Sequence, residues 1–223
     1  MIGCRPLSAA ELDAVSAQFR GFSEHRDRLL FWLGCTSGFR VSELLSIRLG
    51  DLWQDARIAP TLRIRRRHTK GKHAGKSAPI APLITPYALR WMADFTPRHG
   101  SNPKLPLFIS REAPARPITR VQAHRILSSA YARAGLFGGE GELATHCMRK
   151  TYAARMYDHF KDIFKVQQAL RHCSPASTVA YLSFAESELV QAVSLVWPSI
   201  ERPLEPIPSI AGNIVHFERK NPA

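Results

Sequence analysis

"LRHCSPASTVAYL" (residues 170–182) decides how the C-terminal half of the chain is read, because it either continues a helix or breaks one. On one straight helix His172 and Tyr181 would stand about 13 Å apart on opposite faces, from about 1.5 Å of rise and about 100° of rotation per residue. Ser174 is a good N-cap, Pro175 suits a first helical position, and the residue before a proline avoids the helical region. The stretch therefore predicts a turn at 173–174, with His172 closing one helix and Tyr181 lying two turns into the next. Taken alone, the pair reads more readily as a histidine complementing a helix end and a half-buried core tyrosine.

Working outward, most of the chain carries helical periodicity. "PLSAAELDAVSAQF" has a capping box, with Ser8 three residues before Glu11. "HRDRLLFWLGCTSG" reads as a buried helix ended by Gly38, and "RVSELLSIRLGDL" as another that begins at Arg40. Residues 61–82, "TLRIRRRHTKGKHAGKSAPIAP", alternate Leu62 and Ile64, pass through a Gly/Lys turn, and return through Ala78 and Ile80, which predicts a β-hairpin with a basic tip. Helices resume at "TPYALRWMADF", a Pro-rich connection encloses the apolar "LPLFIS", and five helical stretches follow: "TRVQAHRILSSAYARAG", "THCMRKTYAARMYDHF", "DIFKVQQALRH", "SPASTVAYL" and "AESELVQAVSLVW". The expected fold is mainly α with a small antiparallel β-hairpin or sheet. We expect one domain over 1–200 and an extended Pro-rich tail over 201–223.

The charge balance narrows the partners. Against 18 acidic residues stand 31 basic ones, a net charge of +13 over 223 residues, which favours a polyanion. Nucleic acid is the leading candidate and a membrane surface the competitor, but no membrane role is expected, because no stretch approaches the roughly 20 apolar residues needed to span a bilayer. The start lacks a signal-peptide core, so the expected location is cytoplasmic and nucleoid-associated. Arg63, Arg65, Arg66, Arg67, Lys70, Lys72 and Lys76 occur with no acidic residue between 61 and 76. Such a one-signed hairpin repels itself unless an external anion, such as a phosphate backbone, supplies the counter-charge.

Two further groups carry chemistry. In "THCMRK", His146 and Arg149 lie three apart and share a helical face, where they could flank one phosphate or simply be solvated. In "TSGFRVSELL", a glycine turn sets Arg40 at a helix mouth, where Glu43 could orient it or form an ordinary surface pair. A zinc set from His146-Cys147 and His172-Cys173 is disfavoured, since adjacent helical residues point about 100° apart. The four cysteines form no CxxC pair, and no metal or other cofactor is expected.

In this order the pieces resemble the catalytic domain of the tyrosine recombinases, the phage integrase family. The resemblance rests on "GFRVSEL" with Arg40, a strand-turn-strand with a lysine, "HCMR" with His146 and Arg149, "LRHCSPAST" with His172, and Tyr181 nine residues later, and it runs from about residue 7 to 195. Arg171 stands where the family often has glycine, Lys150 where a second histidine often follows the arginine, and Met148 where leucine is common. The family usually adds an N-terminal core-binding domain. This chain is expected to be the catalytic domain without it, similar to the short fimbrial-type inverting recombinases or to a fragment of something longer.

The resemblance implies a DNA breaking-rejoining fold and transesterification at a phosphodiester. Tyr181 would attack phosphorus, with His146 as its base. Arg40 and Arg149 would clamp the non-bridging oxygens and His172 would donate a further hydrogen bond. Lys70 would protonate the departing 5′-hydroxyl, with Lys72 and Lys76 as alternatives. The 3′-phosphotyrosyl product conserves bond energy for rejoining, in integration, inversion or resolution. A homotetramer on double-stranded DNA, with accessory DNA-bending proteins, is the implied assembly, and Leu189, Val190, Val193 and Val196 form a face that packs either on a neighbouring protomer or on the chain's own core. The rival expectations are a type IB topoisomerase that relaxes DNA as a monomer, and a non-catalytic DNA-binding protein that retains the fold.

Overall fold

The computed structural model describes residues 4–55, 57–65, 75–113, 115–138 and 143–171. All of these fall within one unit. The boundary expected at residue 200 lies outside them.

Helix α1 (Ala9–Ser16) begins as its capping box requires: Glu11 N–H donates to Ser8 Oγ at 3.2 Å, and Ser8 N–H donates to Glu11 Oε2 at 2.8 Å. Helix α2 (Glu24–Ser37) is the central element, with Leu29, Leu30, Phe31, Trp32, Leu33 and Cys35 all buried. It packs chiefly against α5 (Ile84–His99) and α7 (His146–Phe160). Gly34 allows the approach to α7, because a Cβ there would collide with the Met148 side chain. Gly38 ends α2 in the left-handed region, at φ 67°.

The single helix expected from Arg40 divides into α3 (Val41–Leu44) and α4 (Leu49–Leu52). Local side chains explain the break. Ser46 Oγ donates to the Glu43 carbonyl at 2.7 Å, and Arg48 N–H donates to Asp51 Oδ2 at 2.8 Å, starting a new turn. Between the two turns, Leu107 N–H donates to the Ile47 carbonyl and Leu49 N–H to the Leu105 carbonyl, so the "LPLFIS" segment takes up backbone groups a continuous helix would have used. Leu107, Phe108 and Ile109 of that segment are buried.

Two antiparallel pairs follow α4. Strands β1 (Trp53–Gln54) and β2 (Arg57–Ile58) form a short hairpin that sequence periodicity does not signal. Strands β3 (Thr61–Ile64) and β4 (Lys76–Pro79) form the expected one, with Leu62 opposite Ala78 and Ile64 opposite Lys76. Its tip lies outside the described residues. Helix α5 runs through Pro97, beyond the expected end at Phe95. Helix α6 (Arg120–Arg133) starts on a Thr119/Gln122 capping box.

Helix α8 (Ile163–Leu170) starts at Asp162, whose carboxylate accepts from Phe164 N–H at 2.8 Å and from Lys165 N–H at 3.3 Å. Val166 and Leu170, one turn apart, pack with Tyr152 and Ala153 of α7. The helix ends two residues before His172 rather than at it, because Arg171 takes a left-handed conformation with φ 55° and ψ 41°. The two expected helices beyond residue 173 lie outside the described residues.

Candidate active site

Three local features converge on the glycine turn after α2. Arg149 is 2% exposed although it carries a full charge. Its Nη1 donates to the Gly38 carbonyl and its Nη2 to the Leu170 carbonyl at 3.0 Å. One guanidinium thus ties the C-terminus of α2 to that of α8, as its planar fork of donors suits it to do.

Arg40, two residues beyond Gly38, is the N-cap of α3. Its backbone N–H donates to Glu43 Oε2 at 2.8 Å, and its Nη1 stands 3.6 Å from Glu43 Oε1. The side chain keeps 29% exposure, so the guanidinium is anchored on one side and open on the other. Glu43, 1% exposed, also receives Lys76 Nζ from β4 at 2.6 Å. The expected orienting role of Glu43 therefore includes the hairpin as well as Arg40.

The electrostatics follow from this packing. Burial opposes ionisation of Glu43, but the Lys76 ammonium, the Arg40 N–H and the two cationic charges outweigh it and hold the carboxyl below its ordinary pKa. Lys76 is lowered, first by burial and then by Arg40 and Arg149, with Glu43 acting in the opposite sense. His146, the first residue of α7, is lowered by partial burial and by the charges of Arg149, Arg40, Arg120 and Lys150. A histidine held neutral among cations can accept a proton at physiological pH.

The structure thus groups Arg40, Glu43, Lys76, His146 and Arg149. Sequence reasoning missed Arg120, whose charge acts on His146 from the start of α6. Beside it a cavity of about 540 Å³ is lined by Val41, Thr119, Arg120, Val121, His124 and Thr145. Arg120 and His146 lie 26 positions apart and meet only through the fold, so no spacing pattern could show it.

The basic hairpin is described in part. Arg63 is exposed on β3. Arg65 Nη2 pairs with Asp51 at 3.1 Å, and Lys76 is committed to Glu43. Arg66, Arg67, Lys70 and Lys72 lie outside the described residues, as do His172, Tyr181 and the apolar face at Leu189, Val190, Val193 and Val196.

Arg171 explains its own departure from glycine. The left-handed backbone costs a non-glycine residue about 1–2 kcal/mol, which is why glycine suits the position. Here the side chain makes three attachments: Nη1 to the Ser77 carbonyl at 2.9 Å, Nη2 to the Ser37 carbonyl, and the guanidinium over the Phe39 ring at 4.4 Å.

The profile described as the phage integrase family matches residues 7–188, a span that contains Arg40, Glu43, Lys76, Arg120, His146, Arg149 and Arg171. The chain belongs to the phage integrase family. It is 29% identical over 182 residues to the probable integrase/recombinase YoeC of Bacillus subtilis strain 168, covering 82% of this chain and 91% of YoeC. It is 27% identical to the tyrosine recombinase XerD of Lacticaseibacillus casei, with 82% of this chain matching 60% of XerD. A structure of the XerH site-specific recombinase bound to palindromic difH substrate superposes with a TM-score of 0.68 at 19% identity, over 88% of this chain and 54% of that one. The match thus takes in most of YoeC but little more than half of the Xer proteins. The expected family and the mainly helical fold with small antiparallel sheets are borne out. Among the described residues, no helix is long and apolar enough to cross a membrane.

Proposed function

We propose that this chain is a site-specific DNA strand-transferase that cleaves and rejoins duplex DNA through a 3′-phosphotyrosyl intermediate. The observation that carries the reading is the cationic cluster built around one buried carboxylate: Arg40 and Lys76 on Glu43, Arg149 locked to the same glycine turn, and His146 held neutral beside them. Attack on phosphorus places negative charge on two non-bridging oxygens, and fixed arginines stabilise that charge without reorganising. Loss of one such donor costs roughly 100- to 1,000-fold in rate.

In the proposed step the Tyr181 phenolic oxygen forms a bond to phosphorus and gives its proton to His146. The bond from phosphorus to the 5′ oxygen breaks, and a hairpin lysine supplies the proton that this oxygen takes up. Lys70 is the proposed acid, because the ammonium of Lys76 is already held at 2.6 Å by Glu43. His172, following directly on Arg171, would add a hydrogen bond to the phosphate. Attack by a second 5′-hydroxyl reverses the step, which is how strands rejoin. Arg63, Arg65, Arg66, Arg67 and Lys72 would hold the flanking backbone, with four identical protomers as a tetramer on DNA in the cytoplasm.

The test is recovery and sequencing of DNA covalently attached to the full chain in cells, for the wild type and Tyr181→Phe. Adducts at a defined sequence in the wild type alone support the reading. Adducts in neither variant point to a DNA-binding protein that retains the fold. Relaxation of supercoiled plasmid lacking the recovered sequence points to a topoisomerase.

A further inference from the structure

We propose that Arg171 is a positioning residue for the general-acid lysine, acting by fixing strand β4 against the arginine pocket. The inference rests on the strand-transfer reading given above. Strand β4 carries the chain out of the lysine hairpin, and two successive residues of it are fastened by different partners. The Lys76 side chain is held by Glu43 at 2.6 Å, and the Ser77 carbonyl by Arg171 Nη1 at 2.9 Å. The other nitrogen of the same guanidinium holds the Ser37 carbonyl at the end of α2, one residue from the Gly38 carbonyl that receives Arg149. Arg171 therefore joins the root of the hairpin, the turn that presents Arg40, and the C-terminus of α8 from which the chain enters His172.

The conformation shows that the link is not incidental. Arg171 occupies a left-handed backbone that favours glycine, and its Nε is buried without a hydrogen-bond partner among the described residues. Both features oppose an arginine, and a glycine would relieve both. The two carbonyl contacts and the stacking on Phe39 are what the side chain contributes in exchange. A lysine reaching a 5′ oxygen from a hairpin must arrive within hydrogen-bond distance, and displacement of a reacting group by about 1 Å can cost roughly 100-fold.

A leaving group that needs no proton separates positioning of the acid from every other role. Single-turnover cleavage is measured on a nicked duplex bearing the sequence recovered from cells, with either a normal scissile phosphodiester or a 5′-bridging phosphorothiolate, whose thiolate departs unprotonated. Arg171→Gly is expected to slow the phosphodiester roughly 10- to 100-fold and to leave the phosphorothiolate within about 3-fold of wild type. Arg171→Lys, which keeps the charge but not the two-pronged fork, is expected to fall between. A thermal melt confirms that the variants are folded. Equal slowing on both substrates, or none on either, overturns the inference while leaving the strand-transfer reading intact. Failure of the wild type to form an adduct with either substrate overturns that reading, and this inference with it.

Discussion

Glu43→Gln tests the organisation of the pocket most directly. The substitution keeps the shape and an acceptor for the Arg40 N–H, which lies 2.8 Å from Oε2, but it removes the charge that Lys76 approaches at 2.6 Å and Arg40 at 3.6 Å. Breaking a fully buried ion pair from one side costs about 3–5 kcal/mol, most of it the uncompensated charge left behind. Here the carboxylate is 1% exposed, while the Lys76 side chain keeps 13% exposure and that of Arg40 29%, so both cations regain some hydration. The expected loss is therefore about 2–4 kcal/mol. Urea unfolding measures it, provided the slope with denaturant is unchanged so that the midpoint shift reports stability.

A second substitution isolates the charge. Lys76→Met removes the ammonium and keeps the stem, so Glu43→Gln combined with Lys76→Met should be less destabilised than the sum of the single variants, by about 1–3 kcal/mol. In DNA cleavage, Glu43→Gln should lower the rate through a loosened Arg40, by up to roughly 100-fold. A Glu43→Gln protein within about 0.5 kcal/mol of wild type, additive with Lys76→Met and fully active, would refute the claim that this carboxylate organises the site.

Other consequences follow from neighbouring groups. Gly38→Ala places a Cβ 2.5 Å from Tyr152 Cδ1 at a φ of 67°, and steric overlap plus left-handed strain should cost about 2–5 kcal/mol by urea unfolding. His146 has a pKa depressed below its usual 6.5, so its contribution to stability is complete above that value and is lost as pH falls through 6.5 toward the lowered pKa. The acid limb of the cleavage rate should accordingly fall below pH 6.5 in the wild type, and Arg120→Ala should move it upward. DNA affinity should fall with salt, and Arg63→Ala, which removes an exposed strand charge, should reduce the slope of log K against log salt by about 0.9 if it meets one phosphate.

Local signals were legible where one segment sufficed. The Ser8 box, the Gly38 terminus and the alternation of Leu62 and Ile64 each determine their structure within a few residues, and each is found where it was expected. The run from Arg40 to Leu52 misled because its apolar spacing is helical throughout, whereas Ser46, Asp51 and the returning "LPLFIS" segment take up its backbone groups. In the candidate site, the role of Glu43 beside Arg40 was readable from a three-residue spacing, while its bond to Lys76 spans 33 positions and depends on hairpin register. Arg120 was invisible for the same reason.

Arg171, which stands where the family often has glycine, proves the most informative residue in the structure. A glycine after Leu170 would satisfy the left-handed backbone and end α8 equally well, so the demand of the turn cannot account for an arginine. What accounts for it is reach: from that single position the guanidinium touches carbonyls 94 and 134 residues earlier in the chain, on β4 and at the end of α2. Arg149 makes the matching connection between Leu170 and Gly38, one residue away at each end. The buried Arg149 and the half-buried Arg171 thus direct donors to backbone carbonyls, and this framework fixes the turn that carries Arg40, whose guanidinium is the more open one. If that division of labour holds, Arg149→Lys should disturb both stability and cleavage, whereas Arg40→Lys should impair cleavage with little change in the urea midpoint. Equal effects of the two substitutions on stability would show that Arg40 is as structural as Arg149.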